Sequence, residues 1–225
     1  MALILNIDTA QETASICLAN SGNILAADRN ERMSDHAAWL HPAIGKLLDL
    51  AGYTLKNLDA IGLVAGPGSY TGLRVGMAAA KGFCFALEIP LITENTLRVM
   101  AEGASRMPVA DKTALFCPMI DARRLEVFAA IYNFEMKELL SPAALVLDKA
   151  SFQIELEISP ITFFGSGSAK WKTLNTSPNA VFIDFNSDAV HLSSITEKKY
   201  GKSEFTDIIY SEPIYLKDFH THRVK

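Results

Sequence analysis

Apolar residues in this chain come in short runs with a period near two, broken by longer segments with a period near 3.6, the pattern of strands alternating with helices. Residues 2–8 (ALILNID), 13–19 and 23–30 predict three consecutive strands, the last two joined by the turn signal Asn20-Ser21-Gly22-Asn23. Ser34 or Asp35 then caps a predicted helix that runs to about Ala51. A strand over 60–65, a helix over 71–87, a short strand near 90–93 and a helix from about Asn95 complete a first half, and Met107-Pro108 reads as a junction. Strands over 113–120 and 125–132 and another around Leu145 open a second half. A short helix near 149–156, a strand over 161–164, a glycine turn, a short helix, a strand over 181–185 and a helix over 188–200 follow.

The most informative stretch is VAGPGSYTGLRVGMAAAKG at 64–82. An apolar strand stops at Gly66-Pro67-Gly68, and Ser69 or Thr71 is placed to cap the next helix. Such a turn can aim bare N–H groups and the positive end of a helix dipole at a phosphate or carboxylate; it can equally be a tight turn and nothing more. The spacing matches neither the dinucleotide-binding glycine pattern nor a Walker A loop. From Gly72 to Leu87 only Arg74 and Lys81 are charged, and Gly72, Gly76 and Ala80 form a stripe of small residues beside Leu73, Met77, Phe83 and Leu87. A helix apolar all round must be covered on more than one side. One side suits its own sheet, and the rest needs another helix, from this chain or a partner.

The halves echo one another. Asn6-Ile7-Asp8-Thr9-Ala10 ends the first strand of one, Met119-Ile120-Asp121-Ala122-Arg123 that of the other, and Gly66-Pro67-Gly68-Ser69 matches Gly165-Ser166-Gly167-Ser168. Both pairs in the same order predict an α/β fold built from a duplicated βββαβα unit, the second copy shortened, with lobes at 1–108 and 109–225. That plan resembles the actin-like (ASKHA, ribonuclease H-like) superfamily of actin, heat-shock chaperone ATPases and sugar kinases. Within it, LNIDTA at 5–10, VAGPGSYTGLRVG at 64–76 and IDARRLEVFAAIY at 120–132 resemble the bacterial TsaB (YeaZ) family, as do FFGSGSAKW at 163–171 and EPIYLK at 212–217.

The resemblance implies a subunit of tRNA threonylcarbamoyladenosine (t6A) synthesis. Its expected partners are a TsaD-like catalytic subunit and a TsaE-like ATPase, and it meets tRNA only through the complex. TsaD-like relatives hold a metal with a His-x-x-x-His pair; Thr96 and Met100 stand at the matching positions here, and neither suits such a cation. No tightly held metal or cofactor is therefore expected. ATP-hydrolysing members carry Asp-x-Gly-Thr at the first hairpin, whereas Asp8-Thr9-Ala10-Gln11-Glu12 lacks the glycine and adds a carboxylate, so at most weak ATP or ADP binding at a subunit interface is expected. Asp8 and Asp121 can hold a cation or simply cap turns, and Arg123 and Arg124 can serve an anion, a partner carboxylate or a solvated hairpin. His36 and His41 are poorly spaced for joint ligation and read as surface or interface residues, with Pro42 kinking their helix, and His220 and His222 lie in a polar tail.

Composition bounds these readings. A chain of 225 residues with 49% hydrophobic content can bury a large core. Its net charge of −4 counts against a free-standing nucleic-acid binder. Cys17, Cys84 and Cys117, odd in number within apolar segments, read as buried thiols of a reducing compartment, and no membrane span or signal pattern is legible. A cytoplasmic, non-catalytic partner protein is the leading expectation; a stand-alone kinase- or ATPase-like phosphotransferase and a direct tRNA-binding module are the alternatives. The expected interface places Trp39, Leu40, Ile44 and Leu47 of the first helix with Gly72, Leu73, Gly76, Met77, Ala80 and Phe83 of the second, pairing either with a TsaD-like subunit or with a second copy. On that placement Gly76→Leu blocks assembly and leaves the fold intact.

Overall fold

The computed structural model describes residues 2–30, 32, 35–107 and 113–217. The chain order is β1 (Leu3–Asp8), β2 (Ala14–Asn20), β3 (Asn23–Asn30), α1 (His36–Ala51), β4 (Ala60–Gly66), α2 (Tyr70–Leu87), β5 (Leu91–Asn95) and α3 (Thr96–Ser105). Then come β6 (Leu115–Asp121), β7 (Glu126–Tyr132), β8 (Glu138–Val146), α4 (Gln153–Ile158), β9 (Ile161–Phe164), α5 (Ser168–Leu174), β10 (Ala180–Phe182) and α6 (Ala189–Gly201). The first sheet has the order β3-β2-β1-β4-β5 and the second β8-β7-β6-β9-β10, the same topology twice. In each, the first strand pairs antiparallel with the second and parallel with the fourth. The duplicated βββαβα plan holds, and the shortening sits in the crossovers: α1 and α2 have 16 and 18 residues, α4 and α5 only 6 and 7. The second sheet compensates with large rings, Phe152, Phe163 and Trp171 packing edge to face beneath its short helices. The Met107-Pro108 junction and the division at 108/109 fall at residues 108–112, outside the described residues apart from Met107.

Side-chain alternation explains why both first strands are apolar on both faces. Leu3, Leu5 and Ile7 of β1 join Leu40, Ile44, Leu47, Met77 and Ala80 under α1 and α2. The intervening Asn6 faces α6, where its carbonyl oxygen accepts from Thr196 Oγ1 at 2.7 Å. In the second sheet Met119 and Val127 face α4 and α5, while Phe116, Ile120 and Ala130 pack with Leu97, Met100 and Ala104 of α3. Each half's last helix thus covers the other half's sheet, α3 on the second and α6 on the first. Glycines permit this exchange: a Cβ on Gly62 would run into Asn6 and Thr196, and one on Gly103 into His191 and Phe185.

Several expectations need correction. The strand predicted over 181–185 is only Ala180–Phe182, and the helix predicted near 149–156 starts at Gln153, because Asp148 and Ser151 first close a side-chain-bonded turn. α1 runs unbroken through Pro42, which sits on its exposed side. The stripe Gly72-Gly76-Ala80 is buried within the chain, not at an outer surface. A Cβ on Gly72 would strike the Thr9 carbonyl and one on Gly76 the Thr9 hydroxyl, so these glycines admit the tip of the first hairpin. Gly76→Leu is accordingly expected to destabilise the fold by about 3 kcal/mol or more through overpacking. Gly82→Leu, on the opposite side with nothing within 4 Å of a Cβ, should melt within a few degrees of wild type. Thermal denaturation of the two variants side by side checks both statements.

Candidate functional site

Two surfaces collect the residues singled out by sequence. The first is a cleft between the lobes of about 610 Å³, lined on one wall by Gln11, Thr13, Ser69 and Thr71 and on the other by Asp121, Arg123, Phe128 and Ser166. The two copies build it alike. Asp8 ends β1 and accepts from the Ala10 N–H at 2.9 Å; Asp121 ends β6 and accepts from the Arg123 N–H at 2.6 Å. The environments then diverge. Asp121 is half-exposed and ion-paired with Lys170 at 2.7 Å; burial pulls its carboxyl upward, but Lys170 and the Arg123 N–H more than offset this and hold it below its ordinary value. Asp8 is 1% exposed, and its Oδ2 has no hydrogen-bond partner among the described residues. Burial above all, with help from Asp188, pushes Asp8 up to about 6.

Beside Asp8 lies the start of α6, where Asp188 caps the helix by accepting from the Val190 N–H and also meets His191 and, at 2.5 Å, Arg29. Partial burial raises the Asp188 carboxyl, and those partners override it to leave the net shift downward. Gln11 donates to Ser187 Oγ at 2.8 Å and Ser15 accepts from the Ala189 N–H at 2.9 Å, so the α6 N-terminus is stitched to the first lobe. Sequence reasoning missed this cluster, since Arg29, Asp188 and His191 lie about 160 positions apart at the extremes with no motif among them.

Part of the glycine turn is engaged by the chain itself. The Ser69 N–H donates to the Ala10 carbonyl at 2.7 Å, the Gly72 N–H to Ser69 Oγ at 3.3 Å, and Thr9 Oγ1 to the Gly72 carbonyl at 2.7 Å. A Cβ on Gly68 would collide with the Ala10 carbonyl, so the glycines serve close packing of the hairpin on the turn. In the second copy the turn packs on the strand instead, the Gly167 N–H donating to the Met119 carbonyl at 3.0 Å. Thr96 and Met100 are both fully buried on α3, Met100 reaching the second glycine turn. His36, expected at a surface, is buried with Nε2 3.4 Å from the Gln11 carbonyl, because α1 lays its first turn over the hairpin. His41 is exposed, its ring 5.5 Å from that of Phe83, and His220 and His222 lie outside the described residues.

The hairpin after Asp121 turns through Arg123 and Arg124 with φ of +71° and +50°. This backbone suits Asn and Gly; holding a larger residue there costs about 1 kcal/mol or more. Both arginines are exposed.

The second surface is the outside of α1 and α2. Leu40, Ile44, Leu47 and Met77 are buried in the first lobe's core with Trp39 and Phe83 half-buried against it. The glycine stripe is buried too, and Leu73 is buried with Val64, Val99 and Leu192. What faces outward includes a different set of small and apolar residues, Ala38, Pro42, Gly45 and Leu50 on α1 and Ala78, Gly82, Phe85 and Ala86 on α2, interleaved with His41, Lys46, Asp49 and Arg74. Leu50 is 76% and Phe85 82% exposed. Cover for the rest of α2 comes from the chain's own C-terminal segment rather than from a further helix. Lys81 Nζ donates to the Ile209 and Ser211 carbonyls, Arg74 Nε to Tyr215 Oη at 3.2 Å, and the Ile214 N–H to Ala65 at 2.7 Å. The two charges on this otherwise apolar helix were the available signal.

Comparison with known proteins agrees with this architecture. A family model described as "TsaD: tRNA N6-adenosine threonylcarbamoyltransferase" matches residues 30–211. The chain belongs to that family, on its TsaB (YeaZ) side. It is 28% identical to the tRNA threonylcarbamoyladenosine biosynthesis protein TsaB of Escherichia coli (strain K12), over 96% of this chain and 94% of that protein. The solved YeaZ structure from Pseudomonas aeruginosa superposes with a TM-score of 0.82 at 27% identity, covering 96% of this chain and all (100%) of that one. Similarity to the tRNA N6-adenosine threonylcarbamoyltransferase of Zymomonas mobilis, 28% identical, covers 80% of this chain but 54% of that enzyme.

The Asp8 environment sets a pH dependence with a definite sign. Its folded value of about 6 lies above the ordinary 3.8, so the folded state holds this proton more tightly. The resulting stabilisation is complete below about pH 4 and is lost as pH rises through 6, an effect of about 3 kcal/mol. Asp8→Asn, which keeps the acceptor for Ala10, should therefore gain stability over wild type at pH 8 and lose that advantage by pH 4.5. Urea denaturation at the two pH values measures the difference; equal midpoints throughout would contradict the assigned burial.

Proposed function

We propose that this chain is a non-catalytic subunit of bacterial t6A synthesis, scaffolding and activating a TsaD-like catalytic subunit alongside a TsaE-like ATPase. The catalytic subunit transfers threonylcarbamoyl to the adenosine next to the anticodon of tRNAs that read ANN codons. The observation that carries this reading is the outer face of α1 and α2, with small residues spaced for close approach and Leu50 and Phe85 left in water. Burying apolar surface is worth about 25 cal/mol per Å², and such a patch is the ordinary mark of an association site. The relatives' names tie them to t6A biosynthesis, which supports a TsaD-like subunit as the occupant. On this reading the same face pairs two copies of the chain when that subunit is absent.

The cleft supports the non-catalytic half of the proposal. Its first hairpin presents Ala10 and Glu12, and the helix-start amides of Ser69 and Gly72 are engaged by the chain itself. No tightly bound cofactor fits that arrangement, and ATP or ADP binds at most weakly, at a subunit interface. The setting is the cytoplasm, where the tRNA substrate is.

Phe85→Asp should cut capture of the co-expressed TsaD-like subunit about tenfold or more, as loss of an exposed aromatic anchor does. Self-association should fall in parallel, with the melting temperature unchanged. Wild-type capture by Phe85→Asp would remove this face from the interface. Titration calorimetry of the isolated chain with ATP should show no sub-micromolar binding; tight binding that disappears in Asp8→Ala would favour the phosphotransferase alternative instead.

A further inference from the structure

The tip joining β6 to β7 carries two adjacent arginines, Arg123 and Arg124, both exposed. Two cations near it are paired: Lys170 with Asp121 and Lys217 with Glu126. The neighbouring Asp148 is occupied as acceptor for the Ala150 and Ser151 groups, beside Lys149. Arg123 and Arg124 enter none of the ion pairs among the described residues, although the chain as a whole is acidic at −4. Both sit at positive φ, where Asn or Gly would relieve the backbone, so local stability does not account for two arginines. The hairpin holding them is rigid: the Arg123 N–H is bonded to Asp121, the Glu126 N–H to the Arg123 carbonyl at 3.0 Å, and the Leu147 N–H to the Leu125 carbonyl at 2.8 Å. Two adjacent guanidinium forks on a stiff support match phosphate oxygens in geometry and charge.

We propose that the Arg123–Arg124 tip contacts the phosphate backbone of the tRNA held by the assembled complex, so that this subunit contributes directly to RNA affinity. The proposal rests on the t6A reading above. Leu125 beside the pair is 53% exposed. RNA is favoured over a protein carboxylate because two adjacent guanidinium forks can engage successive phosphates of one backbone strand. The tip also shares no residue with the apolar face of α1 and α2, so both surfaces can be occupied together. Overall acidity is no obstacle, since phosphate contacts are made locally and the tip places two arginines without an ion pair side by side.

The test uses the assembled complex of this chain with its TsaD-like and TsaE-like subunits and substrate tRNA, with binding measured across a salt series. Arg123→Ala/Arg124→Ala should weaken tRNA binding about tenfold at low salt and make the log–log salt slope shallower by about 1 to 2. The paired lysine replacement, which keeps the charge, should retain the slope. Unchanged affinity and slope in an intact complex would overturn the proposal. So would a double alanine variant that no longer assembles, which would assign the tip to a protein partner. A wild-type chain that fails to assemble at all would overturn the t6A reading and this proposal with it; that outcome is distinguished by appearing before any arginine is changed.

Discussion

The exchange of α3 and α6 between the two sheets is the constraint on which the rest of the molecule hangs. A sheet whose two faces are both covered needs strands that are apolar on alternate positions and tolerated by a helix on the others, which β1 and β6 supply. The inner face of the first sheet closes only because Gly62 lets α6 approach and Asn6 meets Thr196 inside the layer. A buried polar pair of this kind is worth little beyond its satisfaction, but losing one partner costs about 1 to 3 kcal/mol, so it pins the register of α6 on β1. Pinning α6 places Asp188 beside Asp8 and Gln11 beside Ser187. The floor of the cleft therefore follows from a packing decision made a full layer below it.

Much of this was legible in the chain. Strand and helix order came through because apolar periodicity is dictated by burial, and burial here is dictated by a two-fold repeated plan. The pairs Asp8 with Asp121 and Gly68 with Gly167 revealed the repeat because each occupies a position where geometry permits few residues. Element ends were less legible where side-chain turns compete with helix, as at Asp148 and Ser151 before α4.

The direction of α2 was not legible. Gly72, Gly76 and Ala80 recur every four residues, and so do Ala78, Gly82 and Ala86, so the helix has a small-residue stripe on both sides. Nothing local says which stripe meets the core; that choice belongs to Thr9, whose backbone and hydroxyl occupy the space over Gly72 and Gly76. Most residues expected at the interface thus point inward, with Trp39 and Phe83 half-buried at the edge. The C-terminal segment was overlooked for a related reason: its role depends on Lys81 and Arg74 reaching it over a sequence distance of some 130 positions.

The glycine turn shows how one pattern serves two physical ends. Bare amides at a helix start bind an anion only if no chain atom reaches them first. Here Ala10 stands in the first hairpin, its carbonyl takes the Ser69 amide, and the hairpin folds down onto the turn until Gly68 touches it. Asp8 is buried by the same movement, with one oxygen unpartnered and a raised proton affinity, a burden on stability at neutral pH. The Ser69 and Gly72 amides are taken by the chain itself, while the outer faces stay open. The small, apolar side of α1 and α2 and the unpaired arginines of the β6–β7 tip lie where another molecule can reach them. The first hairpin's packing on the turn thus fixes the shape of one cleft wall while leaving the outer faces accessible.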